Sequence, residues 1–563
     1  MSARTWAAIA ILYVLAVVVL TWPVFRHPGT TVLDTKSLYG EASVLVQRDI
    51  NLDMWTLAWD THALLSRPLR LFHANAFHPA PYSLAFAEHK LGNLPLFAPL
   101  YLLTGNPVLA HQAVVVANFV LAGLAMAAFV LYWTSDVPAA IAAGFFYAFA
   151  PFRFWQLGSL DYISIHLLPL VLLGIDATLD RRGGVAAPIG LAVALLVSGL
   201  CSYYIAYAGF VLVGVYLAVG IATRGRTALG RLPILGCAVG TTALVIAALS
   251  LPYLWLRRSG ALADYSERGY ESLAFLGLLK YGPHGLLSWY VLPRRDGIPE
   301  FLTYTALMLA VLALVRRPAA PRGALVAVAI TGIVLGLGPV LLAFGTQILL
   351  PYGWLTAVVP GFSSLRNPQR FGALVTLAVA ALAGLGVAAA RRALHGRSRP
   401  GLAALLPAVA VGLFLLEGTP RGLRSLSLPV GPGVPPAYRW LAAHGDAGAL
   451  LELPARSLDL YRESLFMYYS TYHWLPLVNG YSSYPPQGWR EIMSTAMRLP
   501  EPDALSALIA AARPRWILFH RRDLPPLYRQ SYQAVLEANL RLVERFDEDL
   551  LFEVPPPARS TDR

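Results

Sequence analysis

Residues 371–399 read FGALVTLAVAALAGLGVAAARRALHGRSR. Twenty uncharged, mostly apolar residues are enough to cross a hydrocarbon layer of ~30 Å as a helix. The run is closed by Arg391, Arg392, Arg397 and Arg399. An apolar run ending in clustered cations is the pattern of a span that leaves the membrane on its positively charged side. Working outward, similar runs lie near 6–22, 107–133, 137–151, 162–179, 186–200, 203–221, 232–252, 301–315, 323–342 and 402–417. With the quoted run these make eleven. The stretches 92–104 and 343–358 read either as further spans or as re-entrant or interfacial segments. The expectation is an all-α polytopic membrane protein of about 11–13 transmembrane helices.

Composition agrees. Of 563 residues 57% are hydrophobic and only 13% charged, about half the charged share of a soluble globular domain. So apolar a chain excludes both a string of soluble domains and a disordered one. The formal charge is +13, and Lys36, Lys90 and Lys280 are the only lysines among the 44 cationic residues. The arginines lie in short turns rather than on one broad face, which excludes nucleic acid as a partner. Cys201 and Cys237, the only cysteines, fall in apolar runs and offer neither a disulfide framework nor a zinc site. Motifs of soluble enzymes are absent: the sequence holds no P-loop, no His-Glu-x-x-His and no Gly-x-Ser-x-Gly.

The arginines also set an orientation. Arg181–Arg182, Arg224–Arg226–Arg231, Arg316–Arg317–Arg322 and Arg391–Arg392–Arg397–Arg399 all fall in alternate short loops if the N-terminus is cytoplasmic. The fifth such loop, Thr134–Asp136, is too short to inform. Leu20-Thr21-Trp22-Pro23 is a poor cleavage site, so the first run is expected to stay as an anchor. The expected organisation is an anchor at 1–22, a first outer loop at 23–91, a multi-span domain at 92–417 and an outer C-terminal α/β domain at 418–563. A second outer loop covers 253–300, and a third, near 351–370, carries Arg366 and Arg370. In the tail, Leu450–Leu453 and Trp516–Phe519 read as buried strands, and Asp503–Ala512 and Tyr532–Arg541 as helices.

The first outer loop holds the chemistry. From Asn51 a helix would place Leu52, Trp55, Trp59 and Ala63 on one face and Asp53, Thr56 and Asp60 on another. It reads as an interfacial helix with Trp55 and Trp59 at headgroup depth and Asp49 just before its start. His62, His78, Glu88 and His89 follow. Acids, histidines and aromatics at the outer membrane surface fit transfer of a sugar from a lipid phosphate to a hydroxyl. A carboxylate takes the hydroxyl proton, guanidinium groups receive the departing phosphate, and rings stack on the sugar. Plainer readings stand beside this one. Asp49 caps the helix, the histidines and tryptophans are interfacial, Asp53 and Asp60 form a solvated face, and Arg366 and Arg370 snorkel from the end of a span.

The pattern resembles the C-type integral-membrane glycosyltransferases, and within them a group of bacterial members. The segments that carry the resemblance are Arg48-Asp49-Ile50 with Trp55, Leu57-Ala58-Trp59, His62-Ala63-Leu64-Leu65, Asn75-Ala76-Phe77-His78-Pro79 and Ala87-Glu88-His89. Further along they are Phe149-Ala150-Pro151-Phe152-Arg153, Leu365-Arg366-Asn367-Pro368-Gln369-Arg370-Phe371, Tyr468–Trp474 and Val478-Asn479-Gly480-Tyr481-Ser482. Where the group carries Gly-Asp-Pro, this chain has Arg48 and Ile50 around the acid. The resemblance implies a polyprenyl-phosphate sugar donor and Asp49 as catalytic base. It makes Glu88, His89, His62, Asp53 and Trp55 substrate-binding residues, and Arg153, Arg366 and Arg370 phosphate contacts. No cofactor is expected at the lone acid, and a divalent metal is left open. The acceptor would be a glycan, lipid or protein at the outer face of a bacterial cytoplasmic membrane, and the bilayer itself is a partner. The alternatives are a transporter or flippase for a lipid-linked glycan, with His166 inside a span, and a non-catalytic envelope-assembly protein of the same fold.

Overall fold

In the computed structural model the described residues are all but 1, 36–43, 262–300, 318–319, 344–345, 421, 447, 457–458, 483 and 556–563. Lys36, Lys280 and most of the second outer loop therefore lie outside the described residues. All eleven expected runs hold a helix, although the end of the 323–342 run, from Val340, is a strand. Seven are long and apolar enough to cross a membrane: Ala3–Leu20, Pro107–Thr134, Leu160–Leu179, Tyr203–Arg224, Leu232–Leu249, Pro368–Gly396 and Pro400–Gly418. Val137–Ala148, Ala186–Cys201, Tyr304–Arg316 and Arg322–Gly336 are shorter apolar helices. Of the two ambiguous stretches, the first is the helix Leu94–Thr104. The second is a hairpin, Val340–Ala343 against Thr346–Leu349, followed by the helix Pro351–Val358.

The chain forms two compact units. The first comprises Met1–Ser43, Gln112–Leu249 and Ser266–Leu426, and the second Val44–His111, Ser250–Tyr265 and Ser427–Arg563. Compactness thus groups most of the first outer loop with the tail, although more than three hundred residues separate them in the chain.

The first unit is a bundle around the Gly372–Gly396 helix, which is buried along most of its length. Alanine and glycine dominate that helix, and small residues let apolar helices approach closely. A Cβ added at Gly386 would overlap the carbonyl of Leu309 on the neighbouring Tyr304–Arg316 helix. One end of the bundle is tied by Arg391, whose Nε lies 2.9 Å from Asp136 Oδ2; Asp136 also caps the Val137–Ala148 helix. At another helix end the Glu417 carboxylate accepts from the Thr305 hydroxyl at 2.5 Å and the Thr305 amide at 3.1 Å. The uninformative loop 134–136 therefore shares its end of the bundle with the arginine-rich loop 391–399.

The second unit is built on a four-stranded sheet. In spatial order its strands are Ala449–Leu453, Pro514–His520, Asp549–Glu553 and Arg541–Phe546; the first pair is parallel and the others antiparallel. Alternation along the strands divides the core. Leu451, Ile517, Phe519, Leu550 and Phe552 face a layer with the helices Gln487–Met497, Ala504–Ala512 and Pro526–Asn539. Leu450, Leu518 and Leu551 face a second layer that contains Leu52, Trp55 and Trp59 of the first-loop helix. The two expected strands and both expected tail helices are present, the second helix beginning earlier, at Pro526.

Candidate functional site

The first-loop helix runs from Val44 to Ser66. No glycine or proline interrupts it, and it stops at Arg67, whose extended φ of −153° precedes Pro68. Its start lies five residues before Asp49. Asp49 is therefore inside the helix and does not cap it. Nor are its rings exposed: Trp55 and Trp59 are each 1% exposed. Their indoles are committed within the protein. Trp55 Nε1 donates to Asn75 Oδ1 at 3.0 Å, and Trp59 Nε1 to the Leu71 carbonyl at 2.7 Å.

The polar face is buried as well. Asp53, Thr56 and Asp60 are all sequestered, so the solvated-face reading fails. Lys90 makes this possible. Its Nζ lies 3.0 Å from Asp53 Oδ1, with both side chains almost wholly covered, and its amide N–H reaches toward Asp60 Oδ2 at 3.4 Å. Asp60 Oδ1 is buried without a hydrogen-bond partner. Burial pushes the Asp60 carboxyl up to about 7, against the Lys90 amide hydrogen bond and charge.

Asp49 is the half-buried acid of the helix. The Tyr481 hydroxyl donates to Asp49 Oδ1 at 2.6 Å, and the Arg48 guanidinium lies over the Tyr481 ring, 4.7 Å from its centroid. Burial first, and the Asp49 charge second, hold the Tyr481 hydroxyl well above its usual range, so it stays protonated as a donor.

Tyr481 is placed by its own segment. Asn479 exchanges hydrogen bonds with the Glu452 backbone at 2.8 and 3.1 Å. Glu463 accepts from the Gly480 amide at 2.9 Å and from Asn479 Nδ2 at 3.3 Å. Burial raises the Glu463 carboxyl to about 7, opposed by these two donors. The 75–79 segment of the first loop is tied to the same stretch: the Phe77 amide donates to the Asn479 carbonyl and the His78 amide to the Leu477 carbonyl. A Cβ on Gly480 would stand 2.6 Å from the Phe77 ring. Asn75 also bonds Ser470, Asn51 bonds Ser464, and His62 stacks on Trp474 at 4.2 Å. The segments that carry the resemblance in the loop and in the tail thus interlock around Asp49.

The remaining candidates fall as follows. Glu88 is half-buried and His89 buried. Tyr253 closes their turn, its hydroxyl accepting from the His89 amide and donating to the Ala87 carbonyl, both at 3.1 Å. Arg153, Arg366 and Arg370 belong to the first unit. Arg153 is fully buried; its guanidinium donates to the carbonyls of Ala148 and Ile163 at 3.1 and 2.8 Å and lies 4.2 Å from the Phe119 ring centroid. Those contacts are a structural brace. Arg370 is clamped between the rings of Tyr162 and Tyr204, at 3.6 and 3.8 Å. Tyr204 accepts the Arg366 amide at 2.8 Å, and Tyr162 accepts from Asn367 at 2.6 Å. A hollow of about 10 Å³ beside Arg370 and Asp161 has room for about one water. Among the described residues no group of three or more His, Cys, Asp or Glu is placed to hold a metal ion. Sequence reasoning passed over Tyr481 and Lys90 as site residues. Each adjoined a recognised segment, and Lys90 is one of only three lysines, which was the available signal.

Neither a family model nor a curated protein matches the sequence. Solved structures do. The arabinofuranosyltransferase AftD from Mycobacteria superposes with a TM-score of 0.60 at 16% identity, over 99% of this chain and 40% of that one. A mutant form of AftD gives 0.54 at 16% identity, over 99% and 42%. ArnT from Cupriavidus metallidurans, in the apo state, matches at 14% identity over 99% of this chain and all of that one, with a TM-score of 0.47. The chain spans about two fifths of the length of the AftD chains. At this identity the likeness shows the fold alone: the chain is folded like the matched part of AftD.

Proposed function

We propose that this protein is a membrane glycosyltransferase that takes a sugar from a polyprenyl-phosphate donor, with Asp49 as general base. The Asp49–Tyr481 hydrogen bond carries the reading. It fixes a half-buried carboxylate at the point where the loop and tail segments meet, in a chain of glycosyltransferase fold. The Asp49 carboxylate removes the proton of an acceptor hydroxyl. The oxygen attacks the anomeric carbon, the bond from that carbon to the phosphate oxygen breaks, and its electron pair leaves on polyprenyl phosphate with inversion at carbon. The resemblance makes Arg366 and Arg370 the phosphate contacts, a role a guanidinium suits by its permanent charge. Glu88, His89 and His62 border the sugar. Asp53 and Trp55 act one layer behind, holding the helix that carries Asp49. The N-terminus lies in the cytoplasm and the tail outside, so transfer takes place at the outer face of the cytoplasmic membrane onto a glycan, lipid or protein.

The test is transfer itself. Purified full-length protein is incubated with a panel of polyprenyl-phosphate sugars and envelope glycan acceptors, and released polyprenyl phosphate is measured. The arabinofuranosyl transfer named for AftD makes a pentofuranosyl donor the first to try. Release that depends on both donor and acceptor supports the proposal. A chain that binds such donors yet never releases polyprenyl phosphate contradicts it.

A further inference from the structure

A second site lies at the arginine-rich end of the first unit. There the Tyr203–Arg224 and Arg322–Gly336 helices pack against each other. A cavity of about 320 Å³ opens among Trp133, Tyr216, Gly220, Arg224, Arg322 and Gly323, within the size range of small-ligand sites.

The acids nearby are already covered. Asp176 is fully buried, and its carboxylate accepts from Trp133 Nε1 at 3.0 Å, the Tyr216 hydroxyl at 2.6 Å and the Arg224 guanidinium at 3.0 Å. Asp180 takes a second contact from Arg224 at 3.3 Å and one from the Tyr132 hydroxyl at 3.4 Å. Trp133, Tyr216 and Arg224 are thus taken up by these two acids, and the residues that line the cavity include no carboxylate. Arg322 donates one guanidinium N–H to the Leu314 carbonyl at 3.3 Å, while its Nε is buried with no partner. The first turn of the fifteen-residue Arg322–Gly336 helix has no acid and no side-chain cap, and its Gly323 and Ala324 also line the cavity. A buried donor left unmade costs ~1–3 kcal/mol, and an anion beside the positive helix end would satisfy it.

The geometry points to a binding site for a phosphate monoanion, supplied by an anionic phospholipid headgroup. The cavity sits where arginines crowd the ends of spans, the depth at which lipid phosphates lie. Val219 and Gly220 give it an apolar wall for the glycerol end of a lipid. Trp133 suits the same boundary.

The test uses the full chain in neutral detergent and reads its melting temperature against added phosphatidylglycerol, phosphatidylcholine or inorganic phosphate. Phosphatidylglycerol should raise the melting temperature saturably, and phosphatidylcholine should not. Arg322→Gln should weaken the phosphatidylglycerol response about tenfold. Gly323→Leu should do the same by filling the cavity, since a Cβ there meets open space. It decides the matter if the arginine variant does not fold. An equal response to inorganic phosphate upholds the anion site and assigns it to a soluble phosphate. Equal responses to the two lipids, or an unchanged phosphatidylglycerol response in the folded variants, overturns the inference.

Discussion

Replacing Asp60 by asparagine should stabilise the protein at pH 8 and leave it nearly unchanged below pH ~4. Asp60 is fully buried on the first-loop helix, and its carboxyl is pushed from the ordinary 3.8 to about 7. At 1.36 kcal/mol per pH unit this corresponds to about 4 kcal/mol. The sign follows from linkage. Below pH ~4 both folded and unfolded chains hold the proton and burial carries no ionisation penalty. Between pH ~4 and ~7 the unfolded chain ionises first, and stability falls; above ~7 the whole penalty is present. Asparagine mimics the neutral acid, keeps an oxygen for the Lys90 amide and removes the titration. The assay is denaturant-induced unfolding at several pH values, followed through the fluorescence of the buried Trp55 and Trp59. The variant should exceed the wild type by up to about 4 kcal/mol at pH 8 and by about 1.6 kcal/mol at pH 5, with the gap closing below pH ~4. Parallel stability curves across that range would refute the argument, because they would show that Asp60 is solvated or permanently paired.

Other outcomes follow from the same unit. Lys90→Met removes the cation beside buried Asp53 and should cost ~3–5 kcal/mol, and adding Asp53→Leu should restore most of it; unfolding midpoints check both. Gly480→Ala drives a methyl into the Phe77 ring and should cost ~1–3 kcal/mol, with partial recovery on adding Phe77→Leu. Tyr481→Phe removes the hydroxyl that fixes Asp49; kcat should fall about 10–100-fold with little change in KM, while the melting temperature moves little. His520 bridges Glu452 at 2.9 Å and Asp549 at 3.0 Å. Burial opposes its charge, but the two carboxylates win and raise it above its usual range. Its share of stability should be full below pH ~6.5 and fade as pH rises through its raised value, and His520→Gln should flatten that decline.

Much of the fold was legible because hydropathy in a membrane chain is local. Each apolar run needs only its own composition to become a helix, and all eleven did over most of their length. The strand at Leu450–Leu453 was readable for a related reason: a short apolar run between turn residues fits a buried strand. The surroundings of the first-loop helix were not readable. Its apolar face of Leu52, Trp55 and Trp59 was assigned correctly, but much of what covers it comes from residues after 433, such as Leu450, Phe466 and Trp516. Asp53 and Asp60 looked like a wet surface because single-sequence reasoning gives buried acids no partner, and Lys90 lies beyond the reach of helical spacing. The start at Val44 was missed because nothing in 44–50 marks a cap. Asp49 was found through its place in a recognised segment, whereas Tyr481, its hydrogen-bond partner 432 residues on, was visible only in three dimensions.

The most direct measurement compares polyprenyl-phosphate release by the wild type, Asp49→Asn and Asp49→Glu, at matched melting temperatures and with a donor that the wild type uses. Asparagine keeps the acceptor for the Tyr481 hydroxyl and removes the base, so turnover should drop by at least ~100-fold while donor binding persists; glutamate should recover part of it. Wild-type turnover by Asp49→Asn would contradict the assignment of the base and leave the fold without its proposed chemistry.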